Sequence, residues 1–314
     1  MSMVTIGAQY MGDEHGPKAF AVRAEATGFD SVSCGDHVAH YVDGIATLGC
    51  FAGATEHIRI GVNLLEAPYR PAAVMAKGLA TIALAAPGRV FAGFGVGGEF
   101  PGEFQATGAE VKTRGARTDE ALDVVTRLWT GEPLSYQGRW SQLEAFQLEP
   151  APNPPPDIWI GGRSDAAMVR AVRFGVAYVP YLVSPEQLQR RGERLAELAL
   201  AADRSLDRFT LACLVTLIPG PSIEEAVELG LRSLKLSGLT PQSVRSQYLL
   251  GDDEAVLARL QDYVDAGADH VILGCLPGDE QLVEDFFRAC QRILPTARTL
   301  RRRTAATTYP EQPR

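Results

Sequence analysis

The sequence feature that most constrains the fold is a repeated joint of helix, glycine and strand. The pattern occurs around Gly28, again around Gly175 and a third time around Gly267. At each joint a glycine stands where a helix C-terminus commonly requires a left-handed residue, and an apolar run follows. Because the joints are spread along the whole chain, they predict one architecture from end to end rather than two unrelated domains.

Eight apolar runs predict eight strands, and helical patterns separate them. Several runs are almost wholly apolar, which is typical of strands buried on both faces. The predicted strands are 4–8, 29–34, 58–64, 89–94, 157–160, 176–181, 209–217 and 270–273. Eight such units in 314 residues predict a (β/α)8 TIM barrel. The alternative is a flavodoxin-like or Rossmann fold with a second domain.

Some segments interrupt the alternation. Residues 131–150 predict a hairpin or irregular insertion between the helix after the fourth strand and the fifth strand, and the polar segment 234–250 predicts a loop near the site. We expect residues 1–300 to form a single barrel domain. Residues 301–314 predict a disordered basic and polar tail.

Charge and cysteine content exclude several classes of function. The net charge of −8 argues against nucleic acid or an anionic membrane as a partner. The five cysteines show no CxxC spacing, which indicates reduced thiols in a cytoplasmic protein. The first residues lack the pattern of a signal peptide, and no apolar run is long enough to span a membrane.

Asp36 and His37 directly follow the second predicted strand. In a (β/α)8 barrel the loop after a strand is where catalytic groups lie. A carboxylate beside an imidazole can transfer protons near neutral pH, so both residues are candidate catalytic groups. The alternative is a helix cap next to a structural histidine.

A glycine-rich turn follows the fourth predicted strand. Gly97 and Gly98 would let a ligand approach the backbone closely, and Glu99 is a candidate acid or base at the mouth that Asp36 and His37 share. The pattern is not a dinucleotide fingerprint, because its third glycine comes immediately after the second. A tight structural turn is the alternative.

The fifth predicted strand leads into Gly161, Gly162, Arg163 and Ser164 at the start of a helix. Backbone amides, the helix dipole and an arginine together suit a phosphate group. The alternative is that Ser164 is only an N-cap and that Arg163 points into water.

Two further polar positions remain open. Asn63, polar within an apolar strand, would face either a ligand or a polar neighbour in the barrel. His37 and His40 have a spacing that a metal site can use, but the sequence supplies no clear third or fourth ligand, so we predict no metal.

Taken in order, these segments resemble the bacterial-luciferase-like superfamily of flavin- and deazaflavin-dependent oxidoreductases. The resemblance extends over residues 4–290 and rests on a set of ordered motifs. They are 26–32 with 35–37, 54–61, 88–99, 114–122 and 159–164. It implies a (β/α)8 barrel with an insertion, often dimeric, with a cofactor ring across the barrel mouth and a small organic molecule as the substrate.

The same resemblance assigns roles to individual residues. It implies a non-proline cis peptide at Asn63–Leu64, where both residues would support the ring. It matches residues 161–164 to the phosphate-binding loop and His37 to the histidine near the reactive ring position. Many members have Gly-Asp-Gly-Trp where this chain has 175–178, which weakens the transfer of contacts from the sixth strand.

The resemblance leaves two cofactors open and favours coenzyme F420. Members that use F420 share the Asp-His pair and a glutamate in the glycine-rich loop, and in them the histidine and the glutamate handle protons during hydride transfer. His37 and Glu99 would then act as base and acid, and Asp36 would orient His37 or contact the ring.

The alternative is FMN. The protein would then be a two-component monooxygenase that uses reduced FMN and oxygen and depends on a separate flavin reductase. A third reading is a non-catalytic flavin-binding homologue.

Overall fold

The computed structural model describes residues 3–12, 15–98, 100–234, 238–277 and 280–303. Glu99, named above as a candidate acid or base, lies outside these residues. The strands, in chain order, are β1 (Thr5–Tyr10), β2 (Ser31–Cys34), β3 (Arg59–Glu66), β4 (Val90–Gly95), β5 (Leu134–Gln137), β6 (Gln142–Phe146), β7 (Asp157–Gly161), β8 (Ala177–Val179), β9 (Thr210–Pro219), β10 (Leu249–Gly251) and β11 (His270–Gly274).

Eight of these strands form a closed parallel barrel. Their order around the barrel is β1-β2-β3-β4-β7-β8-β9-β11, and the pairings of β8 with β9 and of β11 with β1 close the ring. These eight correspond to the eight predicted strands, and the (β/α)8 barrel is confirmed. β10 pairs with the end of β9, and β5 and β6 form a separate antiparallel hairpin, as predicted for the insertion.

Helices connect the strands around the outside of the barrel. They are α1 (Gly16–Thr27), α2 (Gly44–Ala54), α3 (Ala72–Ala85), α4 (Pro101–Thr107), α5 (Arg114–Leu128), α6 (Asp165–Phe174), α7 (Pro185–Ala201), α8 (Ile223–Ser233), α9 (Pro241–Gln247), α10 (Asp253–Asp265) and α11 (Glu280–Ala297). Within the described ranges, none of the helices has the length and apolarity needed to cross a membrane.

The prediction of a loop over 234–250 is wrong for its second half. Thr240 caps α9, its hydroxyl accepting a hydrogen bond from the Ser243 amide at 3.1 Å, and Pro241 occupies the first turn. A proline at that position favours a helix start, since its ring fixes a helical φ and its missing N–H would have no partner there. Residues 235–237 lie outside the described part of the chain.

The glycine joints differ among themselves. Gly28 and Gly267 have φ values of +90° and +108°, as the sequence predicts for the end of a helix. Gly175 has φ −89°, so the prediction of a left-handed residue is wrong there. A Cβ at Gly175 would lie 3.1 Å from the carbonyl oxygens of Ala171 and Ala177, so this glycine serves a close approach of backbone segments.

A layer of aromatic side chains fills the barrel below its mouth. The Phe91 ring stacks on Trp159 with a centroid distance of 4.3 Å, and Trp159 meets the edge of His270 at 5.5 Å. Gly61 makes room for this layer, because a Cβ there would lie only 2.1 Å from the Phe91 ring.

His270 is a neutral part of this core. Its Nδ1 lies 2.7 Å from the Thr5 hydroxyl and its Nε2 lies 3.0 Å from the Ser31 hydroxyl. Burial, together with the nearby charge of Arg59, lowers the pKa of His270 to about 3. An uncharged imidazole with a partner at each nitrogen is structural and does not act as a proton donor at neutral pH.

Arginines near the C-terminus pair with carboxylates at the ends of helices and strands. Arg298 lies 2.7 Å from Asp30, and Arg302 lies 3.0 Å from Asp269. Arg303 pairs with Asp265 at 2.7 Å. Residues 301–303 of the expected tail therefore lie against the barrel, and residues 304–314 lie outside the described residues.

The Gly61 contact yields a stability prediction. G61A should lower the free energy of unfolding by about 2 kcal/mol, because the added methyl group overpacks the space that Phe91 fills. G49A is the matched control: Gly49 is exposed within α2, with no atom within 4 Å of the added Cβ, so alanine should stabilise that helix. Urea denaturation measures both variants, and equal effects would contradict the packing argument.

Candidate active site at the mouth of the barrel

A cavity of about 250 Å³ opens where the barrel strands end. Ligand sites of (β/α)8 barrels are found at this carboxyl end. Most of the site residues predicted from the sequence line the cavity. They are Asp36, His37, Asn63, Leu64, Gly97, Gly161 and Gly162. Gly98, Arg163 and Ser164 lie nearby in the chain but are not part of the lining.

His37 is held by a glutamate that the sequence analysis did not single out. The Nδ1 atom of His37 lies 3.1 Å from the Glu103 carboxylate, and the His37 side chain is 13% exposed. Since a carboxylate accepts hydrogen bonds, Nδ1 carries the proton of a neutral imidazole. The other nitrogen, Nε2, is then left as the acceptor.

Glu103 is fixed from several directions. Its carboxylate also accepts hydrogen bonds from the backbone amides of Val38 and Ala39, at 2.8 and 3.0 Å. Burial favours the neutral form, but the amide of Ala39 and the imidazole of His37 outweigh it and hold the pKa of Glu103 below its ordinary value. The group is therefore a buried anion at neutral pH.

One signal could have identified Glu103 in advance. It lies in the first turn of α4, two residues after Pro101 and shortly after the glycine-rich turn. An acidic residue in the first turn of a helix at a strand exit projects near the barrel mouth and benefits from the helix dipole.

Asp36 has a different role from the one expected. Arg70 binds both of its carboxylate oxygens, at 2.5 and 2.7 Å. The amides of Gly44 and Glu66 also donate to these oxygens, at 2.8 and 3.1 Å. The expectation that Asp36 orients His37 is therefore wrong, because all four of these donors lie elsewhere and Glu103 makes that contact. Contact of Asp36 with a cofactor ring stays a prediction.

The peptide bond between Asn63 and Leu64 is cis, as the family resemblance implied. Gln9 donates from Nε2 to the Asn63 carbonyl at 3.0 Å, and Ser33 donates to Gln9 at 2.5 Å. The side-chain oxygen of Asn63 is buried and has no hydrogen-bond partner among the described residues. An unsatisfied amide oxygen at the edge of a cavity is suited to a ligand donor.

The loop of residues 161–164 is closely packed. A Cβ at Gly161 would lie 2.1 Å from Leu64, so glycine lets the loop approach the cis peptide. Gly162 has φ +118°, and its carbonyl accepts a hydrogen bond from the Tyr178 hydroxyl at 2.7 Å. Tyr178 thus supports the loop.

Arg163 and Ser164 lie on the exposed side of this loop. The Ser164 hydroxyl caps α6 by accepting from the Ala167 amide at 3.3 Å. The Arg163 guanidinium lies 4.9 Å from the centre of the Tyr181 ring. With Ser164 and Arg163 placed in this way, the start of α6 stays accessible. Phosphate binding by this loop stays a prediction.

The glycine-rich turn after β4 uses backbone shapes that favour glycine. Gly97 and Gly98 have φ values of +68° and +132°. A Cβ at Gly97 would lie 2.5 Å from the Tyr69 hydroxyl, and one at Gly98 would lie 2.6 Å from Arg114. Glycine at these two positions therefore lets the Tyr69 and Arg114 side chains approach the backbone of the turn closely. Glu99 follows this turn and lies outside the described residues.

Among the described residues, His37 and His40 are not part of a cluster of metal-ligating side chains. His40 contacts the Phe100 ring at a centroid distance of 4.1 Å. Across the described ranges, no group of three or more histidine, cysteine, aspartate or glutamate residues is placed to hold a metal ion.

Glu103 yields a prediction with a defined pH dependence. E103Q should lower the free energy of unfolding by about 2 kcal/mol at neutral pH, because the carboxylate accepts charge-assisted hydrogen bonds. The pKa of folded Glu103 is below its ordinary value, so this contribution is present above about pH 4.3, the usual pKa of an unfolded glutamate. It is lost as the pH falls through the folded-state pKa.

Denaturation of E103Q and the wild-type protein at neutral and acidic pH measures this difference. E56Q is the control, since the Glu56 side chain is 85% exposed. A deficit of E103Q that stays constant down to about pH 3 would contradict the assignment of Glu103 as a stabilised anion.

The chain is similar to enzymes that use deazaflavin or flavin. The F420-dependent glucose-6-phosphate dehydrogenase of Nakamurella multipartita is 26% identical over 95% of this chain and 97% of its own length. The protein of the same name from Kineococcus radiotolerans is 28% identical over 83% of this chain and 87% of its own.

Solved structures share the fold. An F420-dependent secondary alcohol dehydrogenase, solved with an F420–acetone adduct, has a TM-score of 0.82 at 22% identity, covering 93% of this chain and 99% of its own. The oxygenating constituent of 3,6-diketocamphane monooxygenase of Pseudomonas putida, solved with FMN, has a TM-score of 0.76 at 19% identity, covering 93% and 97%.

A family model described as luciferase-like monooxygenase matches residues 8–237. This range contains His37, Glu103, the cis peptide and the loop of residues 161–164. Because the match extends over more than half of the chain, the protein belongs to the luciferase-like monooxygenase family.

Proposed function

We propose that this protein is an F420-dependent oxidoreductase that moves a hydride between the deazaflavin and a small organic substrate. The observation that carries the proposal is His37, fixed through Nδ1 by the buried Glu103 carboxylate at the edge of the cavity. The relatives named above as F420-dependent dehydrogenases support it, and they agree with the preference for F420 over FMN drawn from the sequence.

The residues of the cavity fit a flat heteroaromatic cofactor. The unsatisfied Asn63 oxygen can accept from a ring N–H, and Leu64 supplies an apolar surface beside it. Gly161 and Gly162 bring backbone to the cavity without side chains in the way. Arg163, Ser164 and the first turn of α6 would hold the phosphate.

The cofactor and the protein contribute different parts of the proposed reaction. When bound, F420 supplies a carbon that accepts or donates a hydride. His37 accepts the proton of a substrate hydroxyl at Nε2, or returns it to a carbonyl oxygen in the reverse direction. Glu103 keeps Nδ1 protonated and stabilises the imidazolium that forms.

Other parts of the proposal rest on the family resemblance. The protein would act as a homodimer in the cytoplasm, and residues 1–300 would form its single domain. Asp36 would contact the ring through its loop, and Gly97 and Gly98 would lie against the cofactor. Glu99 would be the second proton-transfer group. If FMN replaced F420, a separate flavin reductase would be the partner.

The role of His37 can be tested directly. H37A should reduce turnover by about 100-fold or more, because the proton acceptor at the reacting oxygen is removed. The dissociation constant of F420 should change less than about threefold, since other residues hold the cofactor. H57A is the control, as the His57 side chain is 86% exposed. Equal, mild losses of turnover and affinity in H37A would count against a catalytic role.

A titration distinguishes the two cofactors. The purified protein should bind F420 with a micromolar or lower dissociation constant and FMN at least about tenfold more weakly, followed by cofactor fluorescence. The reverse order would move the assignment to a two-component monooxygenase, and the structural neighbour solved with FMN is itself named a monooxygenase. N63A should weaken F420 binding if the unsatisfied amide oxygen contacts the ring.

A further inference from the structure

A second wall of the cavity lies across from the cis peptide. In the barrel order, β9 and β11 stand four positions away from β3 and β4, so their ends face Asn63 and Gly97 across the mouth. We call this surface the far wall. Its members come from β9, the end of α8, the residue before β10 and the segment after β11. They are Leu214, Thr216, Leu234, Tyr248, Cys275 and Pro277.

The far wall is poorly suited to a charged ligand. Among the described residues that line the cavity, none is a lysine or an arginine, and the acidic side chains are Asp36 and Glu66. Arg70 already neutralises Asp36. Among the described lining residues, a buried phosphate group would lose its hydration and meet no lysine or arginine in return. Glucose 6-phosphate, which the names of the relatives specify, carries such a group.

Tyr248 supplies one polar atom within this apolar surface. It is 1% exposed, and its hydroxyl is buried without a hydrogen-bond partner in the described part of the chain. Burial raises the pKa of Tyr248 to about 12, so the phenol is neutral and keeps its proton. A buried hydroxyl without a partner is costly, and a ligand oxygen would satisfy it.

We propose that the far wall binds an uncharged, mainly apolar organic molecule, and that the Tyr248 hydroxyl hydrogen-bonds to the hydroxyl or carbonyl oxygen of that molecule. The identification of this molecule as the substrate rests on the proposed function. Tyr248 then determines specificity, because a phenol that cannot supply positive charge favours a neutral oxygen over a phosphate.

Matched ligands and matched variants test the proposal. Cyclohexanol and cyclohexyl phosphate share one ring and differ in charge, and calorimetric titration of the full-length, cofactor-free protein measures the binding of each. Y248F removes the unpartnered hydroxyl. Y263F is the control variant: Tyr263 is equally buried, but its hydroxyl donates to the Val183 carbonyl at 2.8 Å.

Cyclohexanol should bind more tightly than cyclohexyl phosphate, and Y248F should weaken cyclohexanol about three- to tenfold, the loss of one neutral hydrogen bond. Y263F should leave this affinity unchanged. Without ligand, Y248F should melt at the wild-type temperature or above it, and Y263F about 2 °C lower, since only Tyr263 loses a bond to the protein.

Three results would overturn the proposal: tighter binding of cyclohexyl phosphate, no binding of cyclohexanol, or unchanged cyclohexanol affinity in Y248F. The proposed function fails separately. If cyclohexanol binds as expected but F420 does not bind in the fluorescence titration, the far wall stands as a ligand site and the assignment of the cofactor is wrong.

Discussion

The ion pair between Asp36 and Arg70 is the interaction on which the geometry of the site depends. Through its two oxygens, Asp36 ties the exit of β2 to the start of α2 at Gly44 and to the end of β3 at Glu66. Arg70 is 17% exposed and also pairs with Asp43 at 2.7 Å, whereas the Asp36 side chain is fully buried. Removal of Arg70 would therefore leave the Asp36 carboxylate without its countercharge in a low-dielectric environment. The backbone that carries His37 and the end of the strand that carries the cis peptide are thereby held together.

Within the backbone held by this ion pair, one glutamate contact and one glutamine contact position the groups of the site. Glu103 fixes the tautomer of His37, and Gln9 holds the carbonyl of Asn63. The Gln9 contact is buried and the Glu103 contact is partly buried, so a low local dielectric strengthens both. Each contact reaches its group from the end of a different strand. A barrel can in this way bring residues that are distant in sequence into one site.

The sequence was sufficient for the barrel and for bringing several candidate residues to one cavity, and insufficient for the contacts among them. Strands buried on both faces leave a clear apolar signal, and strand exits share one mouth, so His37 and Asn63 could be placed together. The partner of His37 was missed, because Asp36 is adjacent in sequence whereas Glu103, despite its place in the first turn of α4, comes near only through folding. The polar stretch before Leu250 was wrongly predicted to be a loop throughout. The signal for α9 is its capping by Thr240, which involves fewer residues than a hydrophobic period does.

The aromatic layer of Phe91 and Trp159 determines how ligands can enter and leave the cavity. Leu64 and Leu214, which line the cavity, pack directly onto this layer, so the layer is the floor of the cavity and the barrel has no passage beneath it. Cofactor and substrate must then use the same entrance. Where one ligand lies over the other, the deeper ligand must enter first and leave last, an order that follows from the closed floor of the barrel rather than from any single side chain.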